Sequence, residues 1–468
     1  MKIFLYVLKL IAISLISANL YSQTELEKNF DKLIDECEKL KIFSGTMLVS
    51  CDGEIVYERS SGYSDHDKKI MNNSDTKYNI GSIGKLFTSV MILQLLEEGK
   101  LNLDAVVSEY LPGFSSKVTV RQLLRHRSGY GDYLRNPEYR KDKERFKEIP
   151  EILKLISGEK LLFEPGEKFS YSNSGYVILG GLIEKLTGKS YQQNMSERIL
   201  IPLSMKGSGY IYWDDEDPEK ATGYIVDIKG NIKDNRDLRL QPSPAGGMYS
   251  TVKDLFKLEH SLVKDNLILK DESKLLLFGN FDANPEFELG KILNDPDGEN
   301  VYAGGAPGIN ALLMQFTGKK YTVVILSNYD LGAETIESAV NDIIQGRKFN
   351  IPALPAGRYL YNIMKEKGKD YVEKNFDEVL NSGGYNIEND MMLNNAGYQF
   401  LNNDMPEESI IIFRKNVQMF PEIANCYDSL ADAYLANGDK ENAAASYRKI
   451  LELNPGDEDA KNKLEQLK

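Results

Sequence analysis

The sequence predicts an α+β domain built on an antiparallel sheet and flanked by helices, followed by an all-α domain of helical repeats. Three observations carry this reading. A hairpin signature lies near the start of the first 350 residues and a second near their end, a long helical stretch separates them, and a 34-residue period appears after two closely spaced prolines. Strands that come from both ends of a chain segment close into one sheet most simply as antiparallel neighbours.

Taken in order, Leu26, Phe30, Leu33, Ile34, Cys37 and Leu40 recur at helical spacing. Phe43–Ser50 and Glu54–Ser60 then flank Asp52-Gly53, a pair that suits the left-handed positions of a tight hairpin. Tyr78–Ser82 reads as extended, and Phe87–Glu97 as a helix that stops before Gly99. Ala311–Phe316 and Tyr321–Ser327 make the second hairpin across Thr317–Lys320, with a helix from about Gly332 to Ile344. The prolines of Ile351–Pro355 end that pattern and mark a boundary between residues 23–350 and 351–468. Beyond it, Gly397/Ala431, Phe400/Tyr434, Ser409/Ala443, Phe413/Tyr447 and Pro421/Pro455 are each spaced by one 34-residue period. Small residues set against aromatic ones at this spacing resemble the tetratricopeptide repeat. About three units are usually needed for a self-sufficient stack, so a degenerate unit over Arg358–Leu380 is expected to complete it. Such a stack offers a surface for a protein partner.

Composition removes several function classes. The 468 residues, 42% hydrophobic, supply ample core for two or three domains. The net charge of −13 argues against a nucleic-acid partner and against a polybasic membrane anchor. Cys37, Cys51 and Cys426 are too few for a disulfide framework, and three histidines without a His-Glu-x-x-His pair give no metal motif. No metal and no organic cofactor is expected. Residues 1–22 read as an export signal: Lys2, an apolar run from Ile3 to Ile16, then Ser17, Ala18 and Ser22. That run is shorter than the ~20 apolar residues of a spanning helix, so a periplasmic or extracellular protein with no membrane span after cleavage is expected.

The chemistry narrows by elimination. There is no Gly-x-Ser-x-Gly elbow, and Gly84-Lys85 is followed by leucine, which rules out a phosphate loop. Ser82-Ile83-Gly84-Lys85 remains. At i, i+3 on the first turn of a helix, hydroxyl and amine share a face, and an amine kept neutral by burial can take the serine proton. The Ser82 N–H at the helix start can donate to an oxyanion. Ser-x-x-Lys also occurs at Ser74, Ser157, Ser250, Ser261 and Ser446, so context decides. Ser82 alone stands between a strand-like segment and a strongly apolar helix, and only Tyr171 of the 27 tyrosines begins Tyr-x-Asn.

Several blocks occur in one order: Phe43–Val49, Ile80–Thr88, Leu123–Gly129, Pro165–Tyr176, Pro244–Thr251 and Gly304–Gly308. Over about residues 40–345 the chain resembles the serine β-lactamase and penicillin-binding-protein superfamily, most closely its class C-like branch of esterases, D-aminopeptidases and β-lactamases. The resemblance implies a β-lactamase/transpeptidase-like fold and an acyl-enzyme mechanism. It implies Ser82 as nucleophile, Lys85 as its activator, and Tyr171 as a base held as phenolate by lysine charge. Asn173 would orient Lys85 and the substrate carbonyl, and the N–H groups of Ser82 and Gly305 would form the oxyanion hole. Which of Lys85 and Tyr171 acts first stays open. His126 and Ser128 read as structural, and a Ser-His-Asp triad through His126 or His260 has no supporting spacing.

One departure stands out. Aligning the glycine-rich Gly304–Gly308 puts Tyr302, Ala303 and Gly304 at the substrate-binding strand where the family carries Lys-Thr-Gly or His-x-Gly. The cation is missing there. Since a charge-assisted hydrogen bond to a carboxylate is worth ~1.5–3 kcal/mol, β-lactams and D-Ala-D-Ala peptides are expected to be selected less than neutral esters or amides. A cation such as Lys291 folding in from elsewhere would undo this. The expected function is a secreted serine hydrolase acting on a small ester, amide or peptide. The alternatives are a β-lactamase or peptidoglycan D,D-peptidase, and a weakly active pocket whose repeats bind a protein.

Overall fold

The computed structural model describes residues 24–212, 217–238, 240–279, 281, 295 and 297–467. The export segment 1–22 and Lys291 lie outside them. Among the described residues no helix is long and apolar enough to cross a membrane. The chain forms two compact units, Met1–Ile225 with Asp234–Asn350, and Val226–Lys233 with Ile351–Lys468.

The first unit opens with helix α1, residues 24–39, in which Phe30, Leu33, Ile34 and Cys37 are fully buried. Strands β1 (Gly45–Cys51) and β2 (Glu54–Ser61) follow as a hairpin. Asp52 and Gly53 both take positive φ, 51° and 91°, which suits the right-handed twist of the flanking strands. Strands β3 (Glu299–Ala306), β4 (Ile309–Phe316) and β5 (Tyr321–Ser327) form a meander near the other end of the unit. The five strands lie in the order β2-β1-β5-β4-β3, every neighbour antiparallel, with β1 joining the two ends of the unit through Gly45↔Ser327 to Cys51↔Tyr321. β1, β4 and β5 are buried residue after residue, because helices cover both faces.

The helix that matters most is α2 (Gly84–Glu97), buried almost all round from Gly84 to Leu95. A helix without a polar face belongs inside a protein. It begins three residues before the expected Phe87, directly out of a 3-10 turn, Gly81–Ile83, that carries Ser82. The preceding strand is only Tyr78–Asn79, paired with Tyr249–Ser250. Helix α3 (Asn173–Thr187) is capped by Ser172 Oγ, which accepts the Gly175 N–H, and stops at Gly188 in the left-handed region. Its Gly180 lets Pro244 close on the helix, since a Cβ there would lie 2.2 Å from Pro244 Cγ.

The second unit is helical, with Ala356–Lys367, Lys369–Lys374 and Phe376–Ser382 leading into successive helix pairs. Met391–Leu401 packs on Pro406–Met419, and Ala424–Ala436 on Lys440–Leu453. Gly397 faces the ring of Phe413, and Ala431 shares a cluster with Tyr447, the small-against-aromatic arrangement of the 34-residue period. Residues 226–233, which the sequence reading left within the first domain, belong here because Ile228 is buried with Ala356, Leu360 and Met364.

A Cβ at position 397 would sit 2.4 Å from the Phe413 ring. Gly397→Val is therefore expected to destabilise the helical unit by about 1–3 kcal/mol, read as an earlier unfolding transition by far-UV circular dichroism. An unchanged transition would contradict this packing.

Candidate active site

Three segments meet at Ser82. The first is its own turn, where Gly81 adopts φ +50° and Asn79 Oδ1 accepts the Gly81 N–H at 2.9 Å. The second is the turn Ser243–Gly247, whose Gly246 lies so close that a Cβ would come within 2.5 Å of Gly81 O. The third is the end of edge strand β3. A Cβ on Gly304 would lie 2.8 Å from the Ser82 nitrogen, and one on Gly81 would lie 2.6 Å from the Gly305 nitrogen. Glycine at 81, 246 and 304 thus allows three backbones to converge. Their convergence sets the Ser82 turn directly against Gly304 and Gly305.

Ser82 Oγ stands between two side chains. Tyr171 O–H donates to it at 2.8 Å, and Lys85 Nζ lies 3.2 Å away. Lys85 is only 6% exposed, and its Nζ also donates to Asn173 Oδ1 at 2.8 Å and to Ala245 O at 2.5 Å. Asn173 Nδ2 in turn donates to Asp132 Oδ2 at 2.7 Å. Burial pulls the Lys85 ammonium down to about 7, with the Asp132 carboxylate opposing. The Tyr171 phenol moves the other way, raised above its ordinary value chiefly by burial. A shift in this direction opposes the phenolate expected for Tyr171.

His126 stacks on Tyr171, centroids 4.4 Å apart, and its Nδ1 accepts the Ser172 N–H at 3.2 Å. Burial and the Lys85 charge depress it to about 4, so at neutral pH it is an uncharged platform. Ser128 Oγ accepts the Tyr130 N–H at 3.3 Å, a local turn bond. His260 lines a separate cavity with Glu259 and Thr322.

A cavity of about 140 Å³ opens at Ser82, with Asn173, Tyr133, Ala245, Gly305 and Pro307 in its wall. Tyr302, Ala303 and Gly304 are not among its lining residues. Tyr302 packs against the main core on the inward side of the alternating strand, Gly304 is closed off by the Ser82 turn, and the strand reaches the cavity only from Gly305 onward. A cation does line this cavity, although not at position 302. Lys220 Nζ lies 3.2 Å from Tyr212 O and 5.7 Å from the centre of the Tyr249 ring. Sequence reasoning missed Asp132, Ala245 and Lys220. Asp132 is 41 residues from its partner Asn173, and Ala245 acts through a carbonyl that any residue carries.

With the lysine nitrogen labelled, Lys85 is expected to titrate with a midpoint near 7 by NMR. Asp132→Asn removes the anion that favours the ammonium, so the midpoint falls. A midpoint near that of a free lysine, or one insensitive to Asp132→Asn, would contradict the arrangement.

Residues 30–343 match the Beta-lactamase family, and residues 424–457 match a tetratricopeptide repeat. The chain is 29% identical to Penicillin-binding protein 4* of Bacillus subtilis (strain 168) over 357 residues, 71% of this chain and 79% of the relative. It superposes on a penicillin binding protein from Bacillus halodurans with TM-score 0.57 and 27% identity, covering 66% of this chain and 98% of the other. A D-amino acid amidase from Ochrobactrum anthropi SV3 shares the fold at TM-score 0.56 and 20% identity, covering 69% of this chain and 98% of the other. With a match over two thirds of its length and the fold to accompany it, the chain belongs to the Beta-lactamase family of serine hydrolases.

Proposed function

We propose that the protein is an exported hydrolase that cleaves a small ester or amide through an acyl-enzyme on Ser82. The observation that carries this is the accounting of the Lys85 amine. A neutral amine has two N–H bonds and one lone pair, and Asn173 Oδ1 and Ala245 O take the two N–H bonds. The lone pair is left for the Ser82 hydroxyl at 3.2 Å. With a pKa near 7, a large share of the enzyme holds this form at neutral pH.

In this reading Lys85 Nζ takes the Ser82 proton as Oγ attacks the acyl carbon. The N–H groups of Ser82 and Gly305 hold the tetrahedral oxygen. Collapse expels the alcohol or amine, which receives its proton from the Lys85 ammonium through the Tyr171 hydroxyl. Water then attacks the ester on Ser82 and gives a proton to Lys85 through Tyr171, and collapse releases the acid as the Lys85 ammonium returns that proton to Ser82 Oγ. Asn173 and Asp132 set the position and charge of Lys85, and His126 holds the Tyr171 ring. Periplasmic or extracellular placement rests on residues 1–22, and the repeats stand as a surface for a protein partner.

A second reading, a β-lactamase or D,D-peptidase, is favoured by Lys220. A cation in the cavity can pair with a substrate carboxylate, which weakens the case for neutral substrates made from Tyr302.

A fluorophosphonate should label the wild type and Ser261→Ala but not Ser82→Ala, and folded wild-type protein that resists labelling would reject the enzyme reading. Lys85→Ala and Tyr171→Phe are each expected to cut kcat/KM by at least about 10²-fold, and near-normal rates in both would remove their roles. Because the base must be unprotonated, kcat/KM should rise with pH through about 7, and this limb should move to lower pH in Asp132→Asn. Short p-nitrophenyl esters should be turned over more efficiently than benzylpenicillin. The reverse order, lost in Lys220→Met, would establish the second reading in place of the first.

A further inference from the structure

A second cavity, of about 200 Å³, lies in the first unit and shares no lining residue with the one at Ser82. The helix Val252–Lys264 supplies Phe256, Glu259 and Lys264 to its wall, and the hairpin of β4 and β5 supplies Gln315, Lys320 and Thr322. The sheet turns polar here. Asn300, Gln315, Thr322 and Ser50 stand in register across β3, β4, β5 and β1, on the face that carries Leu313, Val324 and Leu48 two residues further along. The row crosses β3 at Asn300, roughly 16 Å along the strand from Gly305.

Two side chains in this wall are enclosed yet incomplete. Glu259 and Gln315 are each only 6% exposed. Glu259 Oε2 accepts the Thr322 hydroxyl at 2.8 Å, and Gln315 Oε1 accepts an N–H of Asn300 Nδ2 at 3.0 Å. The other atom of each, Glu259 Oε1 and Gln315 Nε2, has no partner among the described residues, and neither is sealed from the open space of the cavity. Thr322 is the cross-strand neighbour of Gln315, so the open acceptor and the open donor lie one side chain apart. Burial lifts the Glu259 carboxyl to about 7 against the opposing charge of Lys264. At the rim, Lys264 and Lys320 share one carboxylate among the described residues, Asp52, at 2.8 and 3.6 Å, which leaves a positive charge in excess. His260 completes the wall, its ring 5.7 Å from that of Phe256.

The wall thus presents an enclosed acid, a donor beside it and excess cation at the mouth. A simple amine would use the acid and be repelled by the lysines, and a simple carboxylate would use the donor and the lysines and be repelled by Glu259. A ligand that carries both charges on neighbouring atoms satisfies all three. We propose that this cavity binds a free α-amino acid as its zwitterion, with the ammonium on Glu259 Oε1, the carboxylate between Gln315 Nε2 and the Lys264–Lys320 rim, and an apolar side chain against Phe256 and Val263. The site is separate from the acyl-enzyme chemistry and does not depend on it.

The test is isothermal titration calorimetry of the purified protein with leucine, methionine and phenylalanine, each in its D and L configurations. At least one is expected to bind with a Kd of about 1 mM or tighter. The analogues that lack one charge, for leucine isopentylamine and isocaproate, should each bind at least about tenfold more weakly. Glu259→Gln keeps an oxygen for the Thr322 hydroxyl and removes only the charge, so it should weaken binding by a similar factor. Lys320→Met, on an exposed turn, should weaken it severalfold. No binding by any of these amino acids, an analogue that binds as tightly as its amino acid, or an affinity unchanged in folded Glu259→Gln would overturn the proposal. So would an affinity that disappears in Lys220→Met, because the ligand would then lie beside Ser82. Should Glu259→Gln fail to fold, the analogues on wild-type protein and an affinity unchanged in Lys320→Met decide against the proposal in the same way.

Discussion

A lysine amine enclosed by protein cannot stay charged at low cost, and the arrangement around Ser82 follows from that constraint. Lys85 lies on the first turn of a helix with no solvent face, so its nitrogen is removed from water whatever the rest of the site does. Burial favours the neutral amine, and one carboxylate, Asp132, stands behind Asn173 to limit the shift. Without Asp132 the amine would become a weaker base, and with a carboxylate in direct contact it would stay protonated. Acting through an intervening amide leaves it near neutrality, where a general base works best at physiological pH.

The backbone meets a second demand, to bring three chain segments within reach of one hydroxyl. Gly81, Gly246 and Gly304 approach so closely that a methyl group on any of them would strike a neighbouring main chain. Helix α3 contributes Asn173 at its N-terminus, and its Gly180 admits Pro244, so the same helix supports both the amide and the turn that hold Lys85. The sheet supplies the frame. Its edge strand ends beside the Ser82 turn because β1 draws the two ends of the unit together.

The features legible in the sequence are those with a local signature. Asp52-Gly53 sets a hairpin, the apolar run after Ser82 sets a buried helix, and Gly397 and Ala431 recur with their aromatic partners at a fixed period. Ser82, Lys85, Tyr171 and Asn173, singled out by order and by the resemblance, come together, with Lys85 and Tyr171 at the Ser82 oxygen and Asn173 at the Lys85 amine. What stayed hidden depends on long-range folding. Asp132 and Lys220 are ordinary polar residues in the sequence, and only the tertiary structure brings them to the lysine or to the cavity wall. The direction of Tyr302 depends on the strand's alternation, since a shift of one residue exchanges the faces.

The central claim is that Ser82 Oγ becomes acylated during turnover. The most direct measurement is mass spectrometry of enzyme acid-quenched while cleaving a p-nitrophenyl ester, followed by tryptic digestion. The account predicts that the peptide Tyr78–Lys85 gains the mass of the acyl group, and that the gain is absent in Ser82→Ala. Steady turnover with that peptide unmodified, or with the acyl group on a different residue, would contradict it.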